Sequence, residues 1–130
     1  MFAENKIVES EDSSGFGGAL NLILDANVVL SGGSTQFIKN EAGYGSALSV
    51  GGSSRATWDG SMEFINNSAI IWGAVYVMDS EASWSGETEF RGNISPSGGG
   101  AIFLANGSYV GWTGETIFVS NEATADGGAL

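Results

Sequence analysis

The sequence predicts an all-β fold, a right-handed parallel β-helix of about four rungs, each of 26–28 residues and built from three short strands. Three observations predict it. A phenylalanine followed three positions later by asparagine recurs on a near-constant beat, a glycine–alanine phrase keeps the same beat, and apolar residues alternate with polar ones in between. Alternation over short stretches bounded by Gly, Ser, Asn and Asp is the pattern of a half-buried strand. No helical stripe of useful length competes with it.

The phenylalanine phrases are "FAEN" (Phe2 to Asn5), "FIKN" (Phe37 to Asn40), "FINN" (Phe64 to Asn67), "FRGN" (Phe90 to Asn93) and "FVSN" (Phe118 to Asn121). After a first gap of 35 their starts lie 27, 26 and 28 residues apart, which places an insertion in "KIVESEDSSGF". The second phrase ends in Ala19, Ala47, Ala74, Ala101 and Ala129, spaced 28, 27, 27 and 28. Two copies depart from GGA: Ser46 replaces the second glycine in "GSAL", and Trp72 reads as replacing the first in "WGAV". The third phrase runs from Leu30, Trp58, Trp84 or Trp112 through a glycine turn to the phenylalanine, and it makes "WSGETEF" return 28 residues later as "WTGETIF". The expected division is one segment, 1–130. It has a partial rung 1–18 with an inserted loop around 6–16, rungs of roughly 19–46, 47–73, 74–100 and 101–128, and a further rung starting at 129.

Each rung element follows from its alternation. After the glycine–alanine phrase come Leu20 and Leu22, Leu48 and Val50, Val75 and Val77, Ile102 and Leu104. The next strand carries Val28 and Leu30, Ala56 and Trp58, Ala82 and Trp84, Val110 and Trp112, and the third carries Thr35, Met62, Thr88 and Thr116 before their phenylalanines. Coils stack at the inter-strand spacing of about 4.8 Å. Equivalent residues then form columns: Phe37, Phe64, Phe90, Phe118; Leu30, Trp58, Trp84, Trp112; and the alanines. Asn40, Asn67, Asn93 and Asn121 follow the buried rings at a corner, where their amides can bond the turn backbone and one another.

Composition narrows the function. Four basic residues against fifteen acidic ones, net charge −11, disfavour nucleic acid and anionic membranes as partners. Without cysteine or histidine there are no disulfides, no Cys or His nucleophile and none of the usual zinc ligands. The polar "MFAENKIVESEDSS" is not a secretory signal. The longest apolar run, "AIIWGAVYVM", is ten residues, about half a membrane helix.

These phrases resemble the repeat of the chlamydial polymorphic outer membrane proteins, and similar repeats occur in large surface proteins of algae and other protists. The resemblance spans the chain and implies a cell-surface or extracellular β-helix acting in adhesion or as structural fibre. It also implies a C-terminal membrane barrel in the bacterial proteins, to which nothing in this segment corresponds.

Glu87 and Glu115 share one register, and Glu63 and Glu89 another on the outward parity, a spacing compatible with a glycosidase carboxylate pair. The basic residues Lys6, Lys39, Arg55 and Arg91 are dispersed, and no catalytic residue is assigned. Stacked carboxylates could hold calcium, but the calcium-binding nonapeptide is absent and "EDSSG" and "ATADGG" read as turns; no cofactor or metal is expected. Sequons begin at Asn66, Asn93 and Asn106, of which Asn106 is the best acceptor and Asn93 is expected to be silent in its corner. Trp72, Tyr76, Phe103 and Tyr109 fall outside the inward parity, as lateral packing or as a grip for a partner. The expected function is a non-enzymatic structural or adhesive module, with a glycan-binding module second and a polysaccharide lyase or hydrolase last. Because neither end shows a capping element, further repeats of the same or a neighbouring chain are expected to cover both.

Overall fold

The computed structural model describes residues 1–5 and 15–130, so most of the expected loop around 6–16 lies outside the described residues. The chain opens with β1 (Phe2–Ala3). A first full turn comprises β2 (Leu20–Leu22), β3 (Asn27–Leu30), β4 (Ser34–Ile38) and β5 (Glu41–Tyr44). The second turn holds β6 (Leu48–Gly51), β7 (Arg55–Trp58), β8 (Ser61–Ile65) and β9 (Ser68–Trp72). The third holds β10 (Val75–Met78), β11 (Glu81–Trp84), β12 (Thr88–Arg91) and β13 (Ile94–Ser95), and the fourth β14 (Ile102–Ala105), β15 (Tyr109–Trp112), β16 (Thr116–Val119) and β17 (Glu122–Ala123).

Strands never pair with their chain neighbours. Each pairs in parallel with its equivalent one turn away, giving the orders β2-β6-β10-β14, β3-β7-β11-β15, β1-β4-β8-β12-β16 and β5-β9-β13-β17. The chain is therefore an all-β parallel solenoid of about four turns. Four sheets replace the expected three strands per rung. The fourth escapes sequence reading because its inward residues are small (Ala42, Ala69 and Ser95, all buried) and because Pro96, which lacks a backbone N–H, follows β13 after only two residues.

Register carries the columns without slip. Phe37 pairs with Phe64, Phe64 with Phe90 and Phe90 with Phe118, while Leu30 pairs with Trp58, Trp58 with Trp84 and Trp84 with Trp112. Inward-pointing Leu48, Val50, Ala56, Trp58, Met62, Phe64, Val75, Ala82, Trp84 and Phe90 merge into one continuous core, against which Ala19, Leu30, Val110 and Phe118 pack at the two ends. Ala47, Ala74 and Ala101 are fully buried at the entry to the first sheet, and Ala129 stands in the same column, its carbonyl accepting from Ala101 and Ile102 N–H.

The glycine–alanine phrase turns the corner into that sheet. Gly17, Gly45, Gly73, Gly99 and Gly127 all have positive φ, between 52° and 63°. A Cβ at Gly99 would sit 2.1 Å from the Ile102 carbonyl oxygen, and one at Gly45 2.3 Å from that of Leu48. Only glycine meets both demands. This column corrects the reading of Trp72 as a replacement for the first glycine. Trp72 bridges Gly98 and pairs with Tyr44, so Gly73 holds the left-handed position and the turn lacks one residue before Ala74. A second column explains the repeated heptapeptide: a Cβ at Gly114 would lie 2.2 Å from the Gly86 carbonyl oxygen, and one at Gly86 2.2 Å from that of Gly60.

Candidate functional site

The recurrent side chains are found inside the coil. Phe37, Phe64, Phe90 and Phe118 stack with centroids 4.9, 4.6 and 5.0 Å apart and planes within 2–7° of parallel. Beyond each phenylalanine the third residue of the phrase (Glu4, Lys39, Asn66, Gly92, Ser120) adopts positive φ, which swings the following asparagine inward. Asn40, Asn67 and Asn93 are fully buried, and Asn121 is half-buried in the last turn.

Buried amides need partners, and these have them. Asn67 Nδ2 donates to Asn93 Oδ1 and to the Phe37 carbonyl, both at 3.0 Å, and its backbone N–H donates to the same Asn93 oxygen. The pattern repeats from Asn5 to Asn40 (2.9 Å), Asn40 to Asn67 (2.9 Å) and Asn93 to Asn121 (2.8 Å). Every amide-to-amide bond runs toward the later turn, and the second Nδ2 hydrogen of Asn67, Asn93 and Asn121 reaches back to the phenylalanine carbonyl of the earlier one.

A second polar corner was not read from the sequence. Ala26 N–H donates to Ser54 Oγ at 3.1 Å, and Ser54 N–H to Ser80 Oγ at 3.0 Å; Ser54 Oγ closes its own turn on the Gly51 carbonyl and Ser108 Oγ reaches the Val77 carbonyl. Serines 54, 80 and 108, each two positions before an inward alanine or valine, carried the same beat.

Outside, five aromatic rings gather where the fourth sheet meets the first. Phe16 stacks on Tyr44 at 4.8 Å, Trp72 on Phe103 at 4.6 Å and Trp72 on Tyr76 at 5.7 Å. Tyr76 is outward in register yet only 3% exposed. Burial, then the Tyr44 and Asp79 charges, push its phenol above the usual tyrosine range. Tyr76 Oη donates to Met78 Sδ. A largely apolar concavity of about 320 Å³ lies beside this cluster, with Leu24, Ile23 and Met78 in its wall. The other outward aromatic, Tyr109, stands apart on β15 and is 62% exposed.

The carboxylates come together as expected in register: Glu63, Glu87, Glu89 and Glu115 border a shallow concavity of about 110 Å³ on the outer face of the phenylalanine sheet. Gln36 Nε2 donates to Glu63 Oε2 at 2.9 Å, and Arg91 is ion-paired with Glu89. Among the described residues no cluster of acidic side chains has the arrangement to hold a metal. Asn66 and Asn106 are exposed at positive φ, whereas Asn93 is buried in the ladder. Among the described residues no helix is long and apolar enough to cross a membrane.

The Chlamydia polymorphic membrane protein repeat matches residues 87–105, a stretch that holds Phe90, Asn93 and the "GGAI" phrase. Residues 87–105 therefore carry a repeat of that polymorphic membrane protein type. No curated protein and no solved structure matches the chain.

Proposed function

We propose that the chain is a non-enzymatic structural and adhesive repeat module of a cell-surface protein, wound right-handed as parallel crossovers are. One observation carries this reading. Inward columns repeat their residue type, Phe on Phe and Asn on Asn, whereas outward columns do not: Asn27, Arg55, Glu81 and Tyr109 share one register, and Gln36, Glu63, Glu89 and Ile117 another. The repeat is spent on a scaffold, and recognition is left to a variable outer surface. The matched repeat supports surface placement through its family's description as membrane proteins.

The acidic groove speaks against polysaccharide cleavage. Its neighbouring cation, Arg91, is already paired to Glu89, and the sequence has neither histidine nor cysteine. Further rungs, of this or a neighbouring chain, pair with the outer edges of β14 to β17. Antibody raised against residues 1–130 is expected to label intact, unpermeabilised cells of the source organism. Labelling that requires permeabilisation would remove the surface role.

A further inference from the structure

Outward aromatics are of two kinds. In the corner cluster of Phe16, Tyr44, Trp72, Tyr76 and Phe103 the rings stack on one another. Tyr109 differs. A Cβ built at Gly111 would lie 2.8 Å from both Cε1 and Oη of Tyr109, so the phenol ring lies across the glycine and packs one face on bare backbone. The residue is 62% exposed, which leaves the other face to solvent.

Around that ring the tryptophan sheet presents hydroxyls. Ser83 Oγ donates to Thr57 Oγ1 at 3.3 Å, and Ser85 Oγ donates to the Trp58 carbonyl at 3.4 Å, leaving each oxygen lone pairs to accept from a ligand. With Tyr109 and Thr113 they border a concavity of about 290 Å³ that has no charged side chain in its wall. The nearest charges in this sheet, Arg55 and Glu81, are paired with each other at 2.5 Å.

We propose that this face, Tyr109 over Gly111 flanked by Thr57, Ser83 and Ser85, binds a pyranose ring of a neutral glycan. An aromatic face with a ring of hydroxyl partners suits a sugar, whose C–H bonds on one side are apolar and whose hydroxyls lie around the rim. The volume is near the lower end of ligand sites, about 300 Å³, and suits a short unit rather than a long polymer segment. A net charge of −11 selects against sulfated or uronic polymers. The site lies on the outer face of the tryptophan sheet, on its edge strand β15.

This inference deepens the adhesive half of the function above, and its test separates the two. The chain, ¹⁵N-labelled, is titrated with chitotetraose, with cellotetraose and with heparin, and the saccharides are recovered and sized afterwards. The expected result is saturable amide shifts at Gly111, Ser83 and Thr57 with at least one neutral tetrasaccharide. Tyr109→Ala is expected to weaken binding about tenfold, the worth of one aromatic contact, and Tyr109→Phe, which keeps the ring face, to retain it. Melting curves of both variants are expected to match the parent, because the ring is outside the core. No shift with either neutral probe, shifts confined to the corner cluster, a preference for heparin, or equal binding by Tyr109→Ala would each overturn the site. Shortened saccharides would instead overturn the non-enzymatic reading while leaving the binding site standing.

Discussion

The phenylalanine and tryptophan columns occupy equivalent places in the coil and behave differently. Phenylalanine rings stack at 4.6–5.0 Å, close to the rung spacing, with planes nearly parallel from Phe37 to Phe118. Trp58 and Trp84 lie at 5.9 Å and 14°, and Trp112 tilts 43° from Trp84 to make an edge contact with Phe118. The indole N–H groups of Trp58 and Trp84 are buried with no acceptor among the described residues. A ring that fits the pitch and carries no polar atom forms a uniform column. A wider one with a donor to place must slide and tilt. The corners follow suit: asparagine amides clamp the phenylalanine carbonyls, whereas single serine hydroxyls serve the turn before the tryptophans.

Substitutions that probe this contrast should rank accordingly. Phe90→Ala opens a cavity in the middle of the uniform column and is expected to cost roughly 3–5 kcal/mol, read from chemical denaturation. An unchanged midpoint would show that the rings do not bear on one another. Asn67→Ala removes the acceptor of two Asn40 donors and one donor to the Phe37 carbonyl, for an expected loss of about 2–4 kcal/mol. A cost equal to that of an exposed asparagine, such as Asn106→Ala, would refute the ladder's role in stability. Trp84→Phe deletes a donor that has no acceptor and keeps an aromatic ring in the stack, so less than about 2 kcal/mol is expected. If it proves costlier than Phe90→Ala, the comparison between the columns is inverted.

What the sequence made legible was whatever repeats and is large. Phe64, Asn67 and Trp84 announce themselves because the beat and the residue type coincide, and their register follows from the spacing alone. Residues 68–72 and 94–95 form strands just as real, but with alanine or serine facing inward the alternation has no amplitude. The serine corner was hidden by abundance, since serines also occur in many of the other turns. The one-residue deletion before Ala74 looked like a substitution of glycine by Trp72, because spacing cannot say which residue is missing; the backbone angle at Gly73 does. On the outer face, Phe16, Tyr44 and Phe103 come from three different turns, and Tyr109 lies across a glycine two positions on. Neither arrangement leaves a periodic trace, because a variable surface has no period.

The asparagine ladder also gives the molecule a sense of direction. From Asn5 onward every amide-to-amide bond runs from an N–H to the oxygen at higher residue number, while the second N–H of Asn67, Asn93 and Asn121 turns back to a phenylalanine carbonyl. Cut between two turns, the amide-to-amide bonds leave their oxygens on one surface and their N–H donors on the other. Two copies brought together tail to tail would set like against like, and only an arrangement with both axes running the same way lets the chain of amides continue. The coil thus behaves as a one-way thread: whatever joins it along its axis has its orientation chosen in advance by a row of carboxamides.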